Sequence, residues 1–148
     1  MAGYEQYTLG SASAVDLVVA LYDGIMRFLY GAVDAVERHD ETGRRIAVRR
    51  ALDIIIHLQA RLRMDVGGQP AQALSEFYAS IFAQLLQASQ SASKEKFEHV
   101  IDCVRNVRDA WRQVAKDPDV NPVPVQVARL SPRSEEYGMD APARSWNA

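Results

Sequence analysis

Two residue pairs have a spacing that could present two ligands to a metal ion. Asp53 with His57, and Glu95 with His99, stand four apart, which puts both side chains of a pair on one helical face. A zinc site needs a third and usually a fourth protein ligand, and neither pair has one. Each reads more simply as a solvated i,i+4 contact, so no metal is expected. His39 lies on a third segment. Cys103 is the sole cysteine, so an intramolecular disulfide is excluded; beside Val104 it reads as a packed thiol. There is no Gly-rich phosphate loop, no Gly-x-Ser-x-Gly elbow and no Glu-x-x-His sequence. No enzyme activity and no cofactor are expected.

Arg44, Arg45, Arg49, Arg50, Arg61 and Arg63 make one segment basic. Binding to nucleic acid would need these cations to face phosphate without compensating acids. Asp34, Glu37, Asp40, Glu41 and Asp53 lie close by, few aromatics interleave, and the net charge is −2. A solvated face is the simpler reading. The lone cysteine suits a reducing compartment, the first residues lack a secretory-signal pattern, and no apolar run is long enough to span a membrane. A cytoplasmic protein with no membrane insertion is expected.

The pattern of elements explains what remains, which is apolar surface. A chain of 148 residues, 48% hydrophobic and 24% charged, suits one domain with a single core. Between residues 14 and 116 the only proline is Pro70, whereas 118–142 hold the other five. This predicts a helical body over 14–116, a short N-terminal segment over 1–13, and a Pro-rich tail over 117–148 that is extended or disordered. Polar and Gly clusters at 40–43, 67–70 and 89–93 divide the body into four segments of helical length. The first starts near Ala14, with Ser13 and Asp16 spaced as a capping box, and carries two apolar stripes. Gly24 and Gly31 sit seven apart on it, where a neighbouring helix would approach closely. The second, about 42–64, contains Ile54, Ile55 and Ile56; these point about 100° apart, so one core cannot bury all three. The third runs over about 70–88. In the fourth, about 93–116, Phe97, Val100, Val104, Val107, Trp111 and Val114 form a seam. The fold class is all-α, an antiparallel up-down-up-down four-helix bundle.

The third segment is unusual in its charge. Between Asp65 and Lys94 only Glu76 is charged, so large apolar groups alternate with Ser and Gln. With the isoleucine run alongside, this suits a weakly polar groove for an amphipathic partner segment. The rival use of a second apolar face is a subunit interface, giving a weak homodimer.

Several stretches, in order, carry a family resemblance. They are Leu21-Tyr22-Asp23-Gly24 with Arg27-Phe28 and Ala32, then Arg50-Ala51-Leu52-Asp53-Ile54-Ile55 with Leu58, then Asp65-Val66-Gly67-Gly68. Leu74 with Phe77-Tyr78, and Val107-Arg108-Asp109-Ala110-Trp111, complete the set. From Tyr4 to about Ala115 the chain resembles the flagellar secretion chaperones of the FliS family. The resemblance implies a four-helix bundle that binds the C-terminal disordered region of flagellin, prevents its premature polymerisation, and aids delivery to the export gate protein FlhA. It also implies that the N-terminal Tyr4 and Tyr7 cap or shape a hydrophobic surface. Two departures stand out: Ser13-Ala14 replaces the Ser-Pro common in the family, and the tail from Pro118 has no counterpart. The expected partner-binding residues are therefore Tyr4, Tyr7, Tyr22, Ile54, Ile55, Leu58, Leu62, Phe77, Tyr78, Phe82 and Leu86. Val123, Val125, Val127 and Leu130 of the tail offer a second cover for the groove.

Overall fold

The computed structural model describes residues 2–62 and 64–116, with side chains from residue 14 onward except those of 64–66. Four helices follow in order: α1 (Ala2–Glu37), α2 (Glu41–Ala60), α3 (Met64–Gln90) and α4 (Lys94–Lys116). The tail from residue 117, including the valines expected to cover a groove, lies outside the described residues.

Two of the three connections are built alike. His39 takes a left-handed conformation (φ 57°). Its N–H donates to Val36 O at 3.1 Å, and the Asp40 N–H to Ala35 O at 2.8 Å, closing the end of α1. The Asp40 carboxylate then accepts from Gly43 N at 2.9 Å and caps α2. At the other hairpin Ala92 is left-handed (φ 48°). Ser93 N donates to Ala88 O at 3.0 Å, and the Ser93 hydroxyl accepts from Lys96 N at 3.2 Å. In each case one polar residue ends a helix and begins the next, so the chain reverses within three residues and neighbouring helices must run antiparallel.

The remaining connection moves a boundary. The Gly67-Gly68 pair was expected to separate the second and third segments. Instead α2 stops at Ala60 and α3 begins at Met64, with Gly68 as a kink at φ 56°, ψ −137°. Only glycine enters that region without strain, and Pro70 follows in the turn where its missing N–H costs nothing. At the N-terminus, α1 is continuous from Ala2, so Ser13 lies within the helix and not at its start.

α1 packs on α2 and α4, and α3 packs on the same two; across the diagonal the backbones stay apart, and α1 reaches α3 through the side chains of Tyr22 and Tyr78. The core between them contains Tyr22, Ile25, Leu29, Ile55, Phe77, Ile81, Leu85, Phe97, Val104 and Val107, all essentially without exposure. The α4 seam is wider than the sequence pattern predicted, because Ile101 and Cys103 are buried beside it, while Trp111 and Val114 are half-buried.

The two sides of α2 are packed differently. Towards α1 the approach is close: a Cβ on Gly24 would stand 3.1 Å from Ile54 Cδ1, and one on Gly31 3.9 Å from Ala47 Cβ. Towards α3 the helices stand further apart, with Tyr78 and Phe82 in the gap between them. The glycines predict a measurable asymmetry. Gly31→Ala meets only ordinary contact and removes a helix penalty, so it should stabilise the protein by about 0.5–1 kcal/mol. Gly24→Ala should gain less, since Ile54 must shift to admit it. Urea unfolding of the two variants would test this, and an equal or larger gain at Gly24 would contradict the packing described.

Candidate functional site

The gap between α2 and α3 forms an apolar cleft of about 460 Å³, lined by Ile55, Ile56, Gln59, Ala60, Tyr78, Ala79 and Phe82. Its existence follows from the residue types. Ile55 and Tyr78 are buried at its base, and Phe82 is half-buried along one side. Ile56 stands on the rim with 53% of its surface exposed. Polar bridges pin the helices at both ends of this interface. Gln59 Nε2 donates to Ser75 Oγ at 2.7 Å, and Arg44 Nε donates to Ser89 Oγ at 3.2 Å. The cleft itself is lined by no charged side chain. It can therefore take up apolar groups and has no means to orient an ion or activate a nucleophile.

Beneath the cleft lies a buried polar pair. The Tyr22 and Tyr78 hydroxyls are 2.7 Å apart, and either can donate to the other. Their rings meet edge to face at 6.3 Å. Burial pushes the Tyr78 hydroxyl up to about 12, although the bond to Tyr22 opposes this. Burial raises Tyr22 too, reinforced by Tyr78 and opposed by the nearby Trp111 indole. That indole N–H is buried and forms no hydrogen bond of good geometry. Its influence on Tyr22 is thus one of proximity.

The opposite face of the bundle, between α1 and α4, is spanned by polar bridges. Asp23, Tyr30 and Glu37 repeat every seven residues on α1. Asp23 Oδ1 accepts from Arg108 Nη1 at 2.6 Å, Tyr30 meets Arg105, and Glu37 accepts from Lys94 Nζ at 2.7 Å. Asp23 holds the Arg108 guanidinium more firmly protonated than usual, chiefly through that hydrogen bond.

The structure sorts the residues expected at the site. Ile55, Tyr78 and Phe82 meet in the cleft. Tyr22, Leu58 and Phe77 lie within the core and present no surface to a partner. Ile54 is half-buried and packs towards Gly24 of α1, and Leu62 is half-buried just past the end of α2. Leu86 is 50% exposed further along α3. Tyr4 and Tyr7 fall on the first turns of α1, where only the backbone is described. The expected list omitted Ile56, Gln59, Ala60 and Ala79. The triple isoleucine was the available signal, since one of the three had to face outwards, and Ile56 is the one that does.

The two spaced acid–histidine pairs do not form. His57 Nε2 lies 3.5 Å from Arg61 Nη1, and His99 Nε2 lies 3.7 Å from Cys103 Sγ. Among the described residues no three His, Cys, Asp or Glu side chains converge to hold a metal ion. No helix among them is long and apolar enough to cross a membrane.

A bundle bridged by polar pairs on one face and open along an apolar cleft on the other has the form of a helical binding protein. Sequence comparison agrees in kind and is more specific. The chain matches the model of the family described as "Flagellar protein FliS" over residues 1–118, and it belongs to that family. It is 32% identical over 111 residues to the flagellar secretion chaperone FliS of Campylobacter jejuni, covering 75% of this chain and 87% of that one. It is 33% identical over 106 residues to the Salmonella typhimurium chaperone of the same name, covering 71% and 78%. The Bacillus subtilis chaperone is 26% identical over 110 residues, covering 74% and 81%. The stretch that first suggested the family has a structural meaning. Tyr22 bonds to α3, Asp23 pairs with α4, and Gly24 admits α2, so three consecutive residues join α1 to every other helix.

Proposed function

We propose that this chain is a cytoplasmic export chaperone that binds the C-terminal disordered region of flagellin in the α2–α3 cleft. Bound there, flagellin is kept from premature polymerisation and is carried to the export gate protein FlhA. The observation that carries the reading is an uncharged apolar cleft on the surface of a FliS-family bundle. Flagellin's terminal segments would be amphipathic and self-associating. Covering their apolar face blocks that association without any chemistry, and the helix-in-groove mode needs only apolar anchors and a polar rim. Ile56, Phe82 and Leu86 are the accessible anchors, with Ile55 and Tyr78 as the base. Ordering a disordered partner costs part of the gross binding energy, which keeps the complex releasable.

Calorimetric titration with the C-terminal segment of flagellin from the same organism tests this. One-to-one binding with a negative heat-capacity change is expected, because apolar surface leaves water. A folded protein that shows no heat and no complex with the segment would overturn the proposal. A dimer that persists on dilution and ignores flagellin would instead assign the open face to a second subunit.

A further inference from the structure

The α1–α4 face carries a depression of about 300 Å³, lined by Asp23, Met26, Arg27, Tyr30, Arg105 and Arg108. The stretch over residues 21–28 that carries the family resemblance supplies Asp23 and Arg27 here, and neither lines the cleft. Asp23 has a structural task, the 2.6 Å bond it accepts from Arg108. Arg27 has no such task. It is exposed, it forms no ion pair among the described residues, and its guanidinium lies 6.0 Å from the Phe28 ring. We infer that this depression is a second docking site and that it takes an acidic segment of another protein, with Arg27 gripping a carboxylate and Tyr30 packing against an apolar neighbour.

Three features argue for that partner. The first is charge. Three guanidiniums and one carboxylate line the depression, in a chain whose net charge is −2. Asp102 engages Arg105 at 2.8 Å and Asp109 engages Arg108 at 3.1 Å, so Arg27 supplies the donors left for a ligand. A guanidinium fork meets a carboxylate with two parallel hydrogen bonds. The second is a fixed aromatic. Tyr30 is 51% exposed, yet its hydroxyl is held by Arg105 across the helix pair. An exposed ring already ordered in the free protein loses little freedom on binding, and Tyr and Arg are enriched among residues that carry interface energy. The third is interspersed acid. Asp23, Asp102 and Asp109 among the arginines repel the dense charge of a nucleic acid or an anionic membrane, whereas a single carboxylate can sit beside Arg27. The site lies across the bundle from the α2–α3 cleft, so both can be filled at once. A chaperone with cargo in its cleft would thereby keep a free face for a second protein. Only that meaning rests on the cleft reading, and the docking itself is tested without cargo.

The test is a selection of displayed random dodecapeptides on the full chain. Peptides with Asp or Glu beside an aliphatic or aromatic residue are expected. They should shift the amides of Arg27, Tyr30 and Arg105 and leave those of Ile56, Gln59 and Phe82 in place. Arg27→Glu should weaken such a peptide about 30-fold and Tyr30→Ala about tenfold. Arg27→Lys should cost less than Arg27→Glu, because it keeps the charge and loses only the fork. Arg27→Glu should also leave the unfolding midpoint in place, and exchanging the peptide's carboxylate for Lys should restore its binding to that variant. Selected peptides without acidic enrichment, no shift at these amides, or native affinity in the Arg27→Glu protein would overturn the inference. Competition at comparable affinity by inorganic phosphate or a single-stranded oligonucleotide would make the face a general anion site, and would overturn it too. The flagellin segment should displace none of these peptides, and displacement would place both on one surface and overturn the inference. If the segment does not bind at all while the acidic peptides do, the cleft reading fails and this site stands.

Discussion

Ile55→Asp is expected to unfold the bundle, whereas Ile56→Asp is expected to leave it folded and poor at holding its partner. These neighbours differ in one respect that decides the outcome: Ile55 has 1% of its surface exposed and Ile56 has 53%. A carboxylate at position 55 would sit beneath the cleft, beside Tyr78, with no cation to pair with. Burying an unpaired charge together with the loss of a packed isoleucine should cost about 4 kcal/mol or more, a large share of a small domain's stability. At position 56 the carboxylate remains in water in the free protein and meets desolvation only when an apolar partner closes over it. Loss of a central anchor with a buried charge in its place should weaken binding about 100-fold with little change in unfolding midpoint. Thermal unfolding and titration of both variants would decide. A stable Ile55→Asp protein would contradict the core described, and an Ile56→Asp protein of native affinity would move the partner off this cleft.

The tyrosine pair gives the second large effect, and its sign depends on pH. At neutral pH both hydroxyls are protonated and satisfy each other at 2.7 Å. Tyr22→Phe would leave the Tyr78 hydroxyl buried without that bond, at a cost of about 1–3 kcal/mol. The double change to phenylalanine removes both polar groups, so it should cost less than the sum of the single changes. In alkali the pair becomes a liability. Burial raises both hydroxyls, Tyr78 to about 12, above the ordinary value of 10.0. Stability is unaffected below pH 10, where folded and unfolded forms both keep their protons. Between pH 10 and 12 the unfolded chain releases protons that the folded chain retains, and stability falls, by on the order of 3 kcal/mol for Tyr78 alone. The double phenylalanine variant should lose much less over the same range. Urea titrations at pH 8 and pH 11.5 would measure this, and an equal alkaline loss in both proteins would rule out the pair as its source.

Much of the architecture was legible in the residues because helical periodicity and turn chemistry are local. The four segments, their order, the antiparallel connections and the tight approach at Gly24 all follow from spacings of three, four and seven and from short polar breaks. The left-handed turns at His39 and Ala92 gave no comparable signal, since glycine normally marks such positions and neither residue is glycine. The boundary between α2 and α3 was placed late for a related reason. Gly68 does break the helical backbone, but α2 has already stopped at Ala60 and a helical turn begins at Met64, ahead of the glycines.

The site was legible as a region, and only in part as residues. An almost uncharged third segment beside three isoleucines located the face, because a solvated helix flank requires charge and this one had none. Which apolar side chains line the cleft depends on how far apart the helices stand. That distance is set by the small residues of α1 against α2 and by the bulk of Tyr78 and Phe82 towards α2. Tyr22, Leu58 and Phe77 have the same chemistry as Ile56 and Phe82, so composition and period cannot separate core from surface among them. The sequence by itself determined the class of fold, the family and the uncharged face, since each is written in local pattern. The tertiary structure alone decided that Ile56 faces out while Ile55 faces in, because burial belongs to the packed assembly of helices and not to any one segment.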